Sequence, residues 1–319
     1  MKRKKPALRI VLLCIVIITE LVPAFSNGPV TVAVVLSRDI APYREALRGF
    51  KQVLEKAGEK FRFDEVSVET LAHDRDALIE RVRSHKPSLI LTLGSAATDL
   101  ITEGIKDIPV VFSLILPSKG SGSLEDFREN HPNVTGATME VPLSVQFAKM
   151  REVLPSTVRV GVLFDPAVSG PMVESARSSA REAGLELVAL PVSSEKDVVG
   201  EMKELEGKVD ILWSVADSTV FTPQGLKHIL LSTLRSRLPF VGLSPAFVKA
   251  GALLALSCDY QDVGRQSGEL AVRILGGETP ARIPVAVPRE VSMSINLNTA
   301  QQIQVAISPS VAQAAAEVF

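Results

Sequence analysis

Polar side chains recur where predicted apolar strands end, and their types suit the binding of a small charged molecule. Serine hydroxyls and backbone N–H groups can hold an anion, and aspartates can hold a cation. Because parallel strands end at one edge of a sheet, where open α/β sheets bind their ligands, we expect these residues to face one cleft. A helix cap is the alternative role for the serines, threonine and aspartates. The predicted ligand-binding residues are Ser37, Gly94, Ser95, Ala96 and Ser113 in the first half of the chain, and Asp165, Asp217, Ser218, Thr219 and Ser244 in the second.

The first group is centred on the stretch LILTLGSAATDLITEGI, which begins at Leu89. Its apolar, strand-like part stops at Gly94, and a helix-compatible pattern begins at Ser95. The start of a helix offers unpaired N–H groups and the positive end of the helix dipole. The stretch therefore predicts a site for an anion such as a ligand carboxylate, although a plain strand-to-helix turn shows the same pattern.

Asp217 ends the apolar run ILWSVA in the second half of the chain. A carboxylate in such surroundings costs several kcal/mol unless it is paired. A ligand ammonium would be a suitable partner, and Asp165 places another acid at the corresponding end of an earlier strand. We therefore expect the ligand to be a zwitterion whose carboxylate faces the first half and whose amine faces Asp217.

Motifs for catalysis and for metal binding are missing from the sequence. Four histidines (His73, His85, His131 and His228) lack a metal-binding spacing such as HExxH, and no GxSxG, Walker or strand-following GxGxxG motif occurs. We expect no catalytic residue, no metal and no cofactor, and hence no enzyme. Trp213 and Cys258 are expected to be core residues. The formal net charge of −1 gives no reason to expect a nucleic-acid partner.

The N-terminus has the layout of a secretory signal. A basic run over residues 2–5 precedes an apolar core over residues 10–18, and Ala24 and Ser26 have the spacing of a signal-peptidase site. We expect cleavage after Ser26, with an uncleaved membrane anchor as the alternative. Cleavage removes Cys14 and leaves Cys258 alone, which excludes an intrachain disulfide.

Short apolar runs alternate with amphipathic segments, and the same order occurs twice. The run TVAVVLS is matched by VRVGVLFD, and KPSLILTLGSAAT is matched by KVDILWSVADST. This repetition predicts an α/β protein with two similar Rossmann-like lobes, parallel sheets and a hinge. The expected divisions are a signal peptide over residues 1–26, a first lobe over 27–136, a second lobe over 137–256, and a segment over 257–319 that crosses the hinge and returns to the first lobe.

Several stretches resemble a known family. NVTG, VLPSTVRVGVLFDP, VDILWSVADSTV, GRQSGELAVRILGGETP and INLNTAQQIQV are similar to the substrate-binding proteins of ABC importers in the tryptophan/tyrosine-type group. The resemblance implies the type I periplasmic-binding fold, a periplasmic location, and a monomer that closes on an amino-acid-like ligand and presents it to a membrane permease. An extracellular sensory or accessory receptor without transport is the alternative.

Site residues can be carried over by position from this resemblance. The Gly94-Ser95-Ala96 turn and Ser113 would bind the ligand carboxylate, and Asp217 would bind the ammonium. Two departures bear on the ligand. The group more often has Thr-Asp-Asn where this chain has Ala216-Asp217-Ser218, and many members have Asn where this chain has Asp165.

We predict that expression in a secreting host gives a mature chain beginning at or near Asn27, because the basic run, the apolar core and the Ala24/Ser26 pair together direct cleavage. Mass spectrometry of the exported protein measures this directly. Recovery of chain that retains Met1 in the membrane fraction would support the anchor instead.

Overall fold

The computed structural model describes residues 29–71, 74–115 and 124–319, so the predicted signal peptide lies outside the described residues. The first lobe is a five-stranded parallel sheet with strand order β2-β1-β3-β4-β5. Its strands are β1 (Val30–Leu36), β2 (Phe61–Ser67), β3 (Leu89–Leu93), β4 (Val110–Ile115) and β5 (Val134–Thr138). The helices in this part of the chain are α1 (Ala41–Lys56), α2 (Arg75–Ser84), α3 (Ser95–Gly104) and α4 (Leu124–Asn130).

The second lobe is a seven-stranded sheet with strand order β12-β11-β10-β9-β8-β6-β7. Its strands are β6 (Arg159–Phe164), β7 (Glu186–Pro191), β8 (Ile211–Trp213), β9 (Phe240–Gly242), β10 (Leu254–Cys258), β11 (Val291–Ile295) and β12 (Glu317–Val318). The remaining helices are α5 (Leu143–Val153), α6 (Pro166–Glu182), α7 (Asp197–Leu205), α8 (Pro223–Ser236), α9 (Pro245–Ala250), α10 (Tyr260–Leu275), α11 (Leu297–Gln302) and α12 (Pro309–Ala314).

The apolar runs form strands because helices cover both faces of each sheet. Every residue of β3 and of β4 is buried, as expected for parallel strands between two helical layers. The order β2-β1-β3-β4 of the first sheet recurs as β7-β6-β8-β9 in the second. The predicted fold of two similar α/β lobes with parallel sheets is confirmed. Among the described residues, no helix has both the length and the apolarity needed to cross a membrane.

The structure divides the chain differently from the sequence-based boundaries. The predicted boundary after residue 136 lies inside β5, and of the segment 257–319 only α10 and the chain that follows it pack on the first lobe. β11 instead pairs antiparallel with β10, and its Met293 and Ile295 lie in the core of the second lobe. The apolar residues of β11 and of the chain after it thus lie in the core of the second lobe. The chain crosses between the lobes near residues 139–142, 258–260 and 287–290.

Helix α10 is held in the first lobe by very close contact with α1. A Cβ atom placed on Gly264 would lie 1.9 Å from the carbonyl oxygen of Ala46, and one on Gly49 would lie 2.0 Å from that of Gln261. A Cβ on Gly268 would lie 2.8 Å from Cβ of Val53. The two backbones therefore touch where side chains would normally separate them. This explains Gly264 and Gly268 in the stretch GRQSGELAVRILGG.

The third crossing is tied to α10 by a buried ion cluster. Asp262 is only 2% exposed in its side chain, and Arg289 from the crossing and Arg265 from α10 both donate to its carboxylate. Burial acts to raise the pKa of Asp262, but the hydrogen bonds from the two guanidinium groups outweigh burial and hold that pKa below its usual range. The cluster fixes the chain where it leaves the first lobe.

We predict that Gly264→Ala destabilises the protein by about 1–3 kcal/mol or more, because the new methyl group meets a backbone atom that cannot rotate away. Gly200→Ala is the matched control, since Gly200 is also inside a helix, α7, but a Cβ atom placed on it would have no neighbouring atom within 4 Å. That substitution should stabilise by about 0.5–1 kcal/mol through helix propensity. Urea denaturation of both variants compares the two effects, and equal effects would contradict close packing of α10.

Candidate functional site

A cavity of about 410 Å³ lies where the two lobes meet. This volume is in the range of small-molecule sites, roughly 300–1,000 Å³. Met139 and Tyr260, which pack against a core cluster of the first lobe, form one side, and residues of α6, β8, β9 and β10 form the other. Two of the three lobe crossings contribute to the wall. The main lining side chains are Met139, Glu140, Val141, Gln146, Val168, Ser169, Met172, Trp213, Leu243, Leu256, Cys258 and Tyr260.

Trp213 forms a fixed part of this wall at the end of β8. Its indole Nε1 donates to Oε1 of Gln146 at 2.8 Å, and its ring packs at 5.3 Å between centroids against Phe147. Nε2 of Gln146 in turn donates to the carbonyl of Val141 in the first crossing, also at 2.8 Å. Trp213 is buried, as expected from the sequence, and its cavity-facing position is a feature that the sequence did not reveal.

The ionisable groups that line the cavity are Glu140, Cys258 and Tyr260, with no Lys, Arg or His among its lining residues. Burial raises the pKa of the Cys258 thiol to about 12, so the thiol is protonated at neutral pH and is a poor nucleophile. Burial also raises the pKa values of Glu140 and Tyr260. The cavity thus has an apolar wall with one carboxyl group, a composition suited to binding.

The predicted residues of the first lobe lie together at the carboxyl edge of its sheet. Ser37 Oγ accepts a hydrogen bond from the backbone N–H of Ala97 at 2.9 Å and so caps α3 from a neighbouring strand. Gly94 has φ of 86°, and a Cβ there would lie 2.1 Å from the Tyr43 hydroxyl oxygen, so only glycine fits. Gly94 N–H donates to the carbonyl of Ser113, whose own buried hydroxyl has no partner among the described residues.

The same edge also carries Ser95 and Ala96 at the start of α3. None of the five predicted first-lobe residues lines the cavity in the part of the chain that the structure describes. The structure therefore brings this group together, but separately from the cavity.

Asp165 and Asp217 lie in two neighbouring loops, and each accepts a hydrogen bond from the loop that holds the other. Asp165 is the N-cap of α6, where its Oδ1 accepts from Ala167 N–H and its Oδ2 accepts from the Thr219 hydroxyl at 2.8 Å. Ser244 occupies the N-cap position of α9 without a capping hydrogen bond from its side chain. Ser218 is exposed beside Asp217.

Asp217 is 2% exposed, and each of its carboxylate oxygens accepts two hydrogen bonds from its own lobe. Oδ2 accepts from Asp165 N–H at 2.7 Å and from the Ser169 hydroxyl at 2.6 Å, and Oδ1 accepts from the N–H groups of Thr219 and Val220. Ser169 lines the cavity, whereas Asp217 lies behind it. The ammonium role of Asp217 stays a prediction, and in this arrangement an ammonium would have to displace one of four donors.

Sequence reasoning missed the residues that the crossings contribute, above all Met139, Glu140 and Tyr260. The available signal was an acid, Glu140, in the short MEVP stretch between a strand and a helix. No cluster of three or more potential metal ligands occurs among the described residues.

Comparison with known proteins bears on this architecture. A family model described as ABC transporter substrate binding protein matches residues 29–319. A tyrosine-binding protein of Clostridioides difficile strain R20291 is 22% identical over 261 residues, which cover 80% of this chain and 75% of that protein. The resemblance found in the sequence is thereby confirmed.

Two solved structures show the same fold. One is an ABC domain from Streptococcus pneumonia in complex with L-Trp, with 23% identity, a TM-score of 0.64, and coverage of 92% of this chain and 100% of that chain. The other is the ligand-free, open form of a substrate-binding protein with adhesive properties from Clostridium difficile, with 19% identity, a TM-score of 0.75, and coverage of 91% and 98%.

We predict that Asp217→Ala lowers the free energy of unfolding by at least about 3 kcal/mol, because it leaves several buried donors without an acceptor. The matched control is Asp197→Ala. Asp197 also accepts three hydrogen bonds from serine N–H and hydroxyl groups, but it is exposed and water can replace it. The control should cost much less, because water replaces the lost acceptor at an exposed site. Urea denaturation distinguishes the two, and a small loss for Asp217→Ala would show that the carboxylate is available for a ligand.

Proposed function

The chain belongs to the family of ABC transporter substrate-binding proteins, and we propose that it is the extracytoplasmic component of an importer that closes its lobes on an aromatic amino acid or a close analogue. Closure would present the ligand to a membrane permease. The extracytoplasmic location is supported by the signal-like N-terminus of the sequence.

The observation that carries this proposal is the cavity between the two lobes, which we call the hinge cavity. It lies between two lobes that three crossings connect, so a ligand bound there contacts parts of the molecule that move relative to each other. Ligand contacts made by both lobes favour the closed arrangement over the open one. No chemical step is part of the proposal.

The wall of the cavity supports an aromatic side chain on the ligand. Trp213 and Tyr260 contribute aromatic rings to the wall, and Met139 and Met172 contribute thioethers, which pack well against aromatic rings. The tyrosine-binding relative and the L-Trp complex support the same class of ligand.

The carboxylate of the ligand would be bound by the first lobe after closure. The start of α3 at Ser95 and Ala96 carries the positive end of the helix dipole, and the unpartnered Ser113 hydroxyl lies at the same edge of the sheet. Closure would bring this edge towards the cavity. The first lobe would then act as a lid that recognises the anionic end of an amino acid.

We predict a saturable change in intrinsic fluorescence when L-tyrosine or L-phenylalanine is titrated into the protein. Trp213 is the single tryptophan of the chain and lines the cavity, so its emission reports directly on occupancy. L-arabinose serves as the control ligand and should produce no change. A response to the sugar alone would overturn the proposed ligand class.

We also predict that the bound ligand compacts and stabilises the protein. At a concentration a hundredfold above Kd the native state should gain about 2.7 kcal/mol, seen as a higher melting temperature. Small-angle scattering should show a smaller radius of gyration. Binding without compaction, or conversion of the ligand to a product, would contradict a closing transport receptor.

A further inference from the structure

Glu140 is the single carboxylate among the side chains that line the hinge cavity. It lies in the first crossing between the lobes, just beyond the end of β5 and Met139, and its backbone N–H donates to the hydroxyl of Thr138 at 3.1 Å. That hydroxyl donates to the carbonyl of Ile115, which anchors the turn to the first sheet. The position of Glu140 at the cavity is therefore fixed by its backbone.

The carboxylate of Glu140 has no hydrogen-bond or ion-pair partner among the described residues, and no basic side chain lines the cavity. The buried acids elsewhere differ, since Asp217 accepts four hydrogen bonds and Asp262 is paired with two arginines. Burial alone raises the pKa of Glu140. A carboxylate that is partly desolvated and unpartnered is unfavourable in the free protein and would be stabilised by a cation.

We propose that Glu140 binds the protonated amine of the ligand. The inference rests on the proposed function and deepens it by assigning the amine to the hinge. An ammonium supplies several N–H donors to the two carboxylate oxygens and neutralises the charge of the cavity. Asp217 is the rival acid, but its oxygens are already occupied and it lies behind Ser169.

This assignment orients the ligand. The amine lies at the first crossing, the aromatic side chain lies among Trp213, Met172 and Tyr260, and the carboxylate points out of the cavity towards the first-lobe edge at Ser95. The three groups of an amino acid thus meet three different surfaces. A ligand that lacks the amine should lose affinity because it leaves the Glu140 carboxylate unpaired.

The test uses Glu140→Gln, which keeps the shape of the side chain and removes its charge. Glu290→Gln is the matched control, because Glu290 also lies next to a lobe crossing but is 60% exposed and outside the cavity. The probes are L-tyrosine, tyramine, which lacks the carboxylate, and desaminotyrosine, which lacks the amine. Calorimetric titration gives Kd for each pair of protein and probe.

We expect wild type and Glu290→Gln to bind L-tyrosine about ten- to a hundredfold more tightly than desaminotyrosine, which is the range of one charge-assisted hydrogen bond. Glu140→Gln should weaken L-tyrosine and tyramine by a similar factor and leave desaminotyrosine nearly unchanged. Without ligand, Glu140→Gln should melt at or above the wild-type temperature, because no internal contact is lost.

Distinct results separate this inference from the proposed function. Wild-type affinity of Glu140→Gln for L-tyrosine and tyramine overturns the role of Glu140 and leaves the function standing. A lower melting temperature of ligand-free Glu140→Gln, with all three probes weakened equally, shows a structural role and also overturns it. Failure of the wild type to bind any probe overturns the proposed function and, with it, this inference.

Discussion

The backbone contact between α1 and α10 is the constraint on which the rest of the molecule depends. It exists because Gly49 and Gly264 place no side chain between the two backbones, and Gly268 leaves room for the side chain of Val53. α10 is continuous with β10 of the second lobe and leads to β11 of that same lobe, so seating α10 on α1 fixes two of the three crossings. The ion cluster around Asp262 then fixes Arg289, where the chain leaves the first lobe. The hinge cavity lies between elements whose positions these contacts determine.

Much of this fold could be predicted from the sequence, because parallel strands covered by helices have an unmistakable apolar pattern. β3, β4 and their counterparts in the second lobe follow from that pattern, and so does the repeat. The destination of the C-terminal segment could not be predicted. β11 is a short strand, and its pairing with β10 depends on a long-range contact that local sequence does not encode. The glycines of α10 do not by themselves indicate α1 as the packing partner.

The candidate site was predictable only in part, since helix caps and ligand contacts use the same side chains at the same strand ends. Ser37 and Asp165 both cap helices in the structure, and no property of their local sequence distinguishes capping from binding. Asp217 was expected to need a partner, and its partners come from its own lobe, in loops that only the folded sheet brings together. Glu140, in contrast, was not identified from the sequence, because it lies in a connecting segment that has neither helical nor strand periodicity.

The hydrogen-bond chain from Trp213 through Gln146 to Val141 has a consequence for how the cavity wall can change in evolution. Gln146 is shared, because one end of its amide holds the cavity wall and the other holds the first crossing. Replacing Trp213 by a ring without N–H would leave Oε1 of Gln146 without its donor and would weaken the tie between the cavity wall and the first crossing. An evolutionary change at this part of the cavity wall is therefore also a change in how firmly the first crossing is held.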